Sequence, residues 1–517
     1  MTTRNLRLCL AAGLAATGPA LAQGPEIIYT SVASAPQAKR EVPGHAPLEF
    51  DGFFLMYGSP SGQYWAVRAS TNDLTTQDDV ILFGSGTSAV VVAKEGTPSA
   101  ADPSRTWGIF DNEIGINDAG TIAFHNNLSD PTTDDEVIVR YVLSAGTPVF
   151  DTVVLREGQP APDAGVTPFI PAGATIGANL SDATLLSDGT VGALVQLAPL
   201  TGLIDGTNDE CVYLGGAAQQ RELVTSPAGW PNLWDFFTTA RYNATGTKSL
   251  VDGDDNSLVD DITAIDNVVA IQQGQTIAGL TSPVDSTGSD YVWMTPSGDW
   301  FAVGNNTNAD EDWVVRNGVV VANALGGPTN DITPGNPSGE LWSDTDYAAC
   351  FVIATGNAAG DYVVCGLTTA ASNANAVIVL NGETVVSREG DPVDLDGNGQ
   401  FDDNTFIRTY GDNTAFLTDD GWLYVRITLT NDPTLGNAGP DLGQALVRQR
   451  IFQPSACYAN CDNSTQAPIL NVADFTCFLN RFAAGDSYAN CDQSTQPPVL
   501  NVADFTCFLN QFAAGCP

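Results

Sequence analysis

Oxygen-bearing side chains stand at alternate positions in three places along this chain, and such spacing suits a hard cation. Asp394, Asp396, Asn398, Gln400 and Asp402 surround two turn glycines, Gly397 and Gly399. Asn460, Asp462 and Ser464 alternate further on, followed by Asn471 and Asp474; Asn490, Asp492, Ser494, Asn501 and Asp504 repeat that arrangement. Calcium takes six to eight oxygen ligands, and a tight loop with this alternation can supply most of them. The backbone carbonyls of Ile469 and Val499 lie between the two groups of side chains in their loops and extend each set. Calcium is the cofactor these residues imply. In the loop beginning at Asp394, Thr405 stands where a closing bidentate acid is expected, so a solvated acidic turn competes with the metal reading there.

Nucleophilic catalysis is poorly provided for. A triad needs Ser or Cys beside His and an acid, and the chain has only His45 and His125 among its 517 residues. His125 reads as an ordinary strand residue. Carboxylate pairs of the glycosidase type remain open, because spacing along a chain does not show which acids face each other. Trp230 and Trp234 could stack on sugar rings, although packing between elements is the more economical use. Of the ten cysteines, Cys211 reads as a buried thiol, and Cys350 and Cys365 flank an apparent hairpin that a strand-bridging disulfide could clamp. The other six beyond the leader are Cys457, Cys461, Cys477, Cys491, Cys507 and Cys516. That density in an exported segment points to disulfides, and the distant histidines argue against zinc.

The elements that position these groups at the C-terminus are duplicated. Residues 458–485 and 488–515 differ at only four of 28 positions. In each copy a loop precedes one helix: Asn471 is a natural N-cap, Val472, Phe475, Phe478, Leu479 and Phe482 form an apolar face, and Gly485 ends the turn. The first three side-chain ligands resemble those of an EF-hand loop, but no helix precedes it. A paired loop-and-helix unit of this kind resembles a dockerin, and the Gly515-Cys516 ending with its cysteine pattern resembles the GC-type variant. The resemblance implies a cohesin-like or other surface-protein partner, met by Val472 and Ala473 or, after a half-turn, by Val502 and Ala503. Given the duplication, it further implies Cys461–Cys477 and Cys491–Cys507 bonds, with Cys457 and Cys516 joining the module's ends. Each loop is three residues longer than usual and lacks the turn glycine, Thr465 to Pro468 standing in its place. Few ligands are charged, so calcium affinity is expected in the weak extracellular range, roughly 10⁻⁴–10⁻³ M.

The start of the chain reads as a cleaved secretory leader over residues 1–22: Arg4 and Arg7, the apolar run Leu8 to Leu21, then Ala20-Leu21-Ala22. No later stretch is long and apolar enough to span a bilayer. With 60 acidic against 19 basic residues and a formal net charge of −41, nucleic acid and anionic membranes are excluded as partners, since both demand basic clusters. Secretion, to the medium or a cell surface, is the expected localisation.

Residues 23–450 read as an all-β array: short β-branched runs separated by Gly, Asp, Asn and Pro, without helical periodicity. A turn closing in glycine before an apolar strand recurs at Gly62, Gly120, Gly189, Gly246, Gly298, Gly360 and Gly421. The turns lie roughly 60 residues apart, which fits seven four-stranded blades of a β-propeller. A second mark recurs as Lys94-Glu95-Gly96, Arg156-Glu157-Gly158 and Arg388-Glu389-Gly390, with Gln272-Gln273-Gly274 a degraded copy. The early strand from Glu26 to Ala35 is expected to complete the last blade. The stretch Asn117 to Phe124 resembles the NxxGxxAF tandem repeat of planctomycete-type secreted proteins, which implies architecture rather than activity. The resulting expectation is an exported, non-catalytic seven-bladed propeller, a linker at 451–456, and a dockerin-like domain over 457–517. A polysaccharide hydrolase or lyase, or a carbohydrate-binding propeller with a glycan as partner, is the alternative.

Overall fold

The computed structural model describes residues 24–130, 132–257, 261–308, 311–333, 339–343, 350–451, 459–462, 470–485, 489–491 and 499–514. The expected leader and most of the expected linker lie outside the described residues, as do Cys457, Ser464, Ile469, Asp492, Ser494 and Cys516. Among the described residues no helix is long and apolar enough to cross a membrane.

Seven four-stranded antiparallel sheets follow one another along the chain. Their first strands are Phe50–Gly58, Trp107–Ile116, Ile176–Leu185, Trp234–Tyr242, Val284–Met294, Phe351–Gly356 and Phe406–Leu417, belonging to blades one to seven. Each first strand touches the first strand of the next blade, and the last touches the first. The molecule is therefore a closed seven-bladed β-propeller with these strands around its axis. Closure is made by Glu26–Thr30, which pairs antiparallel with Gly443–Arg450 as the outermost strand of blade seven. The strand is shorter than expected, ending at Thr30 rather than Ala35. An ion pair between Arg448 and Glu26 at 2.9 Å fastens it.

All seven turn glycines join the first and second strands of a blade, and all have positive φ, from +68° at Gly246 to +97° at Gly360. A side chain would strain that backbone. The first residue of the turn does more than start it. Asn117 Oδ1 accepts from the N–H groups of Ala119 and Thr121, while its Nδ2 donates to the Leu186 carbonyl of the next blade. Asn357 does the same between Asp361 N–H and the Thr418 carbonyl. A side chain that both caps a turn and reaches its neighbour ties blade to blade.

The second recurring mark has an equally concrete role. Glu95, Glu157 and Glu389 fold back to accept from the N–H of Asp79, Asp135 and Ala376, at or just before the third strand of their own blades. The following glycines donate N–H to Trp107, Ile176 and Ile407 on the first strand of the next blade. In blade three Glu222 accepts from Asp209 and Glu210 N–H, and Leu223 replaces the glycine at φ +47°. Inside the blades the core is aliphatic and aromatic, with Trp65, Trp234 and Trp313 fully buried.

Near the C-terminus two helices, Val472–Ala484 and Val502–Ala514, share a small core in which Phe478 and Phe508 stack at 4.1 Å. Asn471 caps the first helix and Gly485, at φ +73°, ends it.

Candidate functional site

Regular strands cannot point two successive side chains at the same axis, and the first strands here are irregular where they pass it. Register breaks fall between Phe110 and Ile114, between Ser181 and Thr184, between Phe237 and Thr239, between Ser289 and Tyr291, and between Tyr410 and Ala415. Bulges of this kind re-aim side chains. The residues they turn inward are Asp111, Glu113, Asp182, Thr238, Asp290 and Asn413, which with Tyr57, Arg241, Asp252 and Tyr291 line an axial channel of about 460 Å³. Asp182 holds a left-handed backbone, φ +55°. Bonds from Thr239 Oγ1 (2.7 Å), Ala240 N–H (2.6 Å) and the Arg241 guanidinium fix its carboxylate there.

A larger cleft of about 790 Å³ adjoins the channel where blades two, three and four meet, sharing Asp111, Ser181 and Thr238 with it. The cleft lies at the opposite end of the first strands from the glycine turns. His125 forms part of its floor and is 7% exposed. Its Nε2 lies 3.0 Å from Glu136 Oε2 and its Nδ1 3.7 Å from Asp111 Oδ2. Neither contact is aligned as a hydrogen bond.

Burial disfavours the imidazolium, but Asp111 and Glu136 outweigh it and hold His125 at about 8. Burial also works against the Asp111 carboxylate, yet His125, Glu113 and the Asn112 N–H bring it down to about 2. Glu113 is pushed up to about 8 by burial and then by the charge of Asp111. Asp252 and Asp290 are each raised to about 6, mainly by burial. A carboxylate, a carboxylic acid and an imidazolium thus stand in one recessed cluster, able to hold and hand on a proton at neutral pH. His125 itself lies within the strand Ile122–Leu128, opposite Ile138, as its sequence context indicates. The sequence does carry a signal: Asp111-Asn112-Glu113 is a polar run inside an otherwise apolar strand.

Trp234 is fully buried beside Phe237 and offers no open sugar-stacking face, while half-buried Trp230 packs against the same core and donates Nε1–H to Asp255 at 2.6 Å. Cys350 and Cys365 are thiols, not a disulfide. Cross-strand pairing explains the correction: Cys365 faces Ile353, while Cys350 sits near Leu367, whose carbonyl its thiol meets at 3.4 Å. Cys211 is buried, as its sequence context indicates.

In the loop after blade six, one carboxylate oxygen from each of Asp394, Asp396 and Asp403 lies within 4.8 Å of the others. Asp403, absent from the expected ligand set, belongs to this group, whereas Asp402 does not; Asp402 and Gln400 are exposed. Asp394 accepts from the N–H groups of Gly397, Asn398 and Gly399, which folds the loop around it. Asn398 spends its side chain on Gln400 N–H and on Asp396. An oxygen-only donor set fits calcium.

In the tail, disulfides join Cys461 to Cys477 and Cys491 to Cys507, each tying a loop to the helix that follows. Asp474 is fully buried; one oxygen accepts from Asn471 N–H at 2.9 Å and the other from Asp462 N–H at 3.2 Å. Asp504 is equally buried and accepts from Asn501 N–H at 2.7 Å. Asp474 thereby ties the loop residue Asp462 to the start of the first helix. Val472 is 79% and Val502 80% exposed, with Ala473 and Ala503 exposed beside them.

No family model and no curated protein matches the chain. Solved structures resemble it at low identity, two of them described as propellers. The Dos1 propeller covers 80% of this chain and 82% of its own, at 9% identity and a TM-score of 0.35. The β-propeller domain of the Trilobed protease from Pyrococcus furiosus covers 74% and 92%, at 9% identity and 0.36. An oligogalacturonate lyase from Vibrio parahaemolyticus covers 83% and 98%, at 10% identity and 0.38. Likenesses this distant carry no argument about what the chain does.

Proposed function

We propose that this chain is an exported, non-catalytic β-propeller held at a cell surface or scaffold by its C-terminal pair of helices, through calcium-dependent docking to a cohesin-like partner. The observation that supports it most directly is the matched exposure of the two helix starts. Val472 and Ala473 on one helix and Val502 and Ala503 on the other stand open to solvent, as do Leu479 at 40% and Leu509 at 42%. Apolar side chains repeated on two faces of one small core, without cover, suit a partner that can seat in either of two orientations. Calcium enters as the ligand of the loops that end in Asp474 and Asp504 and, separately, of the Asp394–Asp396–Asp403 loop.

The test is binding of the full-length chain to a panel of cohesin domains, with calcium and with chelator. Val472→Asp or Val502→Asp alone should leave one orientation and nearly full affinity. The double variant should lose binding at least 10-fold, as should chelation. Binding indifferent to chelator, or to both substitutions together, would refute the proposal.

A further inference from the structure

We infer that the cleft at the junction of blades two, three and four is a saccharide-binding site, suited to neutral or amine-bearing sugars and not to acidic ones. Its lip is apolar. Ile109 is 62% and Phe236 44% exposed, and both line the cleft. Each sits at a register break of its strand, between Trp107 and Phe110 and at Phe236 itself. The Phe236 ring offers a flat face to the C–H face of a sugar, and Ile109 adds apolar surface at the same lip.

The floor supplies directional polar groups. His125 is more than nine-tenths buried, yet both of its ring nitrogens lack an aligned hydrogen bond. Those nitrogens are closed off from the cavity and face Glu136 and Asp111, so the imidazole holds the two carboxylates in the cleft wall rather than meeting a ligand itself. Sugar hydroxyls both donate and accept, and can donate to the carboxylates of Asp111 and Glu136, which line the cleft and keep some exposure. Amides nearby are pre-set: Asn127 Nδ2 donates to Glu136 Oε1 at 3.2 Å, and Asn179 Nδ2 to Gln196 Oε1 at 3.0 Å. Planar carboxylates and amides match pairs of adjacent hydroxyls. At about 790 Å³ the cleft has room for more than one ring.

Charge decides the class of sugar. Asp111, Glu136 and Glu210 line the cleft against Arg68 and His125. Arg68 is engaged by Asp79 at 2.7 Å and by Asn112 at 3.1 Å. The local balance and the chain's net charge of −41 repel uronates and attract amines.

Calorimetry on the full-length chain with cellohexaose, a chitosan hexamer and hexagalacturonate tests this. The first two should bind, and hexagalacturonate should be at least 10-fold weaker than either. Phe236→Ala, on the surface, should weaken binding at least 10-fold at an unchanged urea midpoint. Glu136→Gln should remove the preference for the chitosan hexamer over cellohexaose. The tail variant Val472→Asp/Val502→Asp should bind sugars like the wild type, which separates this site from docking. No binding by either favoured sugar, equal binding of hexagalacturonate, or indifference to Phe236→Ala would overturn the inference. So would a lysine hexamer binding as tightly as the chitosan hexamer, since charge alone would then suffice.

Discussion

His125 allows the electrostatics of the cleft to be measured residue by residue, because the chain contains only one other histidine. Burial by itself would push this imidazolium well below its ordinary 6.5. Two carboxylates reverse the sign: Glu136 at 3.0 Å and Asp111 at 3.7 Å, each worth roughly 5 kcal/mol at an effective dielectric of about 20. The balance leaves His125 at about 8, whereas His45 is lowered, first by burial and then by Lys94. Imidazole proton resonances followed against pH should therefore show one midpoint near 8 and one below 6.5, with His45→Gln assigning them. Glu136→Gln should bring the His125 midpoint below 6.5, since one carboxylate no longer outweighs burial. Linkage then fixes a stability effect. The folded value lies above the unfolded one, so the stabilisation is complete below pH 6.5 and is lost as pH rises through 8, about 2 kcal/mol in all. Glu113, raised from 4.5 to about 8 by burial and Asp111, adds a loss of the same sign that begins near pH 4.5 and continues through 8. His125→Gln should flatten the pH dependence of the urea midpoint between pH 6.5 and 8.5 without abolishing it. A wild-type His125 midpoint at or below 6.5, or one unmoved by Glu136→Gln, would refute this account of the cluster.

Gly120→Ala should cost about 1–2 kcal/mol in urea denaturation, since its φ is +71° and the added Cβ would sit 2.8 Å from Leu143. Gly146→Ala, with positive φ but nothing within 4 Å, should cost about 1 kcal/mol or less and isolates the backbone term. Removing the Cys461–Cys477 bond, a separation of 16 residues, should destabilise the tail by about 3 kcal/mol; the helical signal in far-ultraviolet dichroism, which the propeller scarcely contributes to, reads it. Asp403→Asn should remove calcium stabilisation of the loop after blade six, seen as loss of a calcium-dependent rise in Tm, while Asp402→Asn should leave that rise in place.

The blade count was legible because a tight turn constrains its own residues. Each first-to-second-strand turn demands positive φ, so glycine marks all seven even where the rest of the repeat has drifted. Gly246 and Gly360, in the loosest copies, sit in the same conformation as Gly120. In the acidic loop alternation pointed to Asp402, whereas the fold groups Asp403 with Asp394 and Asp396, and the Asp403 carboxylate accepts from Leu395 and Asp396 N–H. Local spacing cannot distinguish adjacent acids when the turn between them is irregular. The Glu-Gly mark shows the converse limit: blade three keeps the glutamate's bonds through Glu222 but places Leu223 where glycine is expected, so the interaction persists after its sequence signature has gone.

The cleft and the channel beside it were illegible for a different reason. Asp111 and His125 come from successive strands of one blade and Glu136 from the next strand, while Asp182 and Arg241 come from blades three and four. Nothing in their spacing joins them; the ring geometry does. What a sequence can show is the disturbance each must cause locally, because a carboxylate facing the axis interrupts a run of core residues and forces a bulge. Asp111-Asn112-Glu113 does so in blade two, Ser181-Asp182 in blade three and Ser289-Asp290 in blade five, and at each the strand register slips. A propeller blade needs its first strand only to close the ring, and a regular strand would do that at lower cost. Three interrupted strands carry acids to one axis, one of them on a left-handed backbone at Asp182. That arrangement strains local structure to concentrate charge, which in a folded protein is expected where a ligand is met.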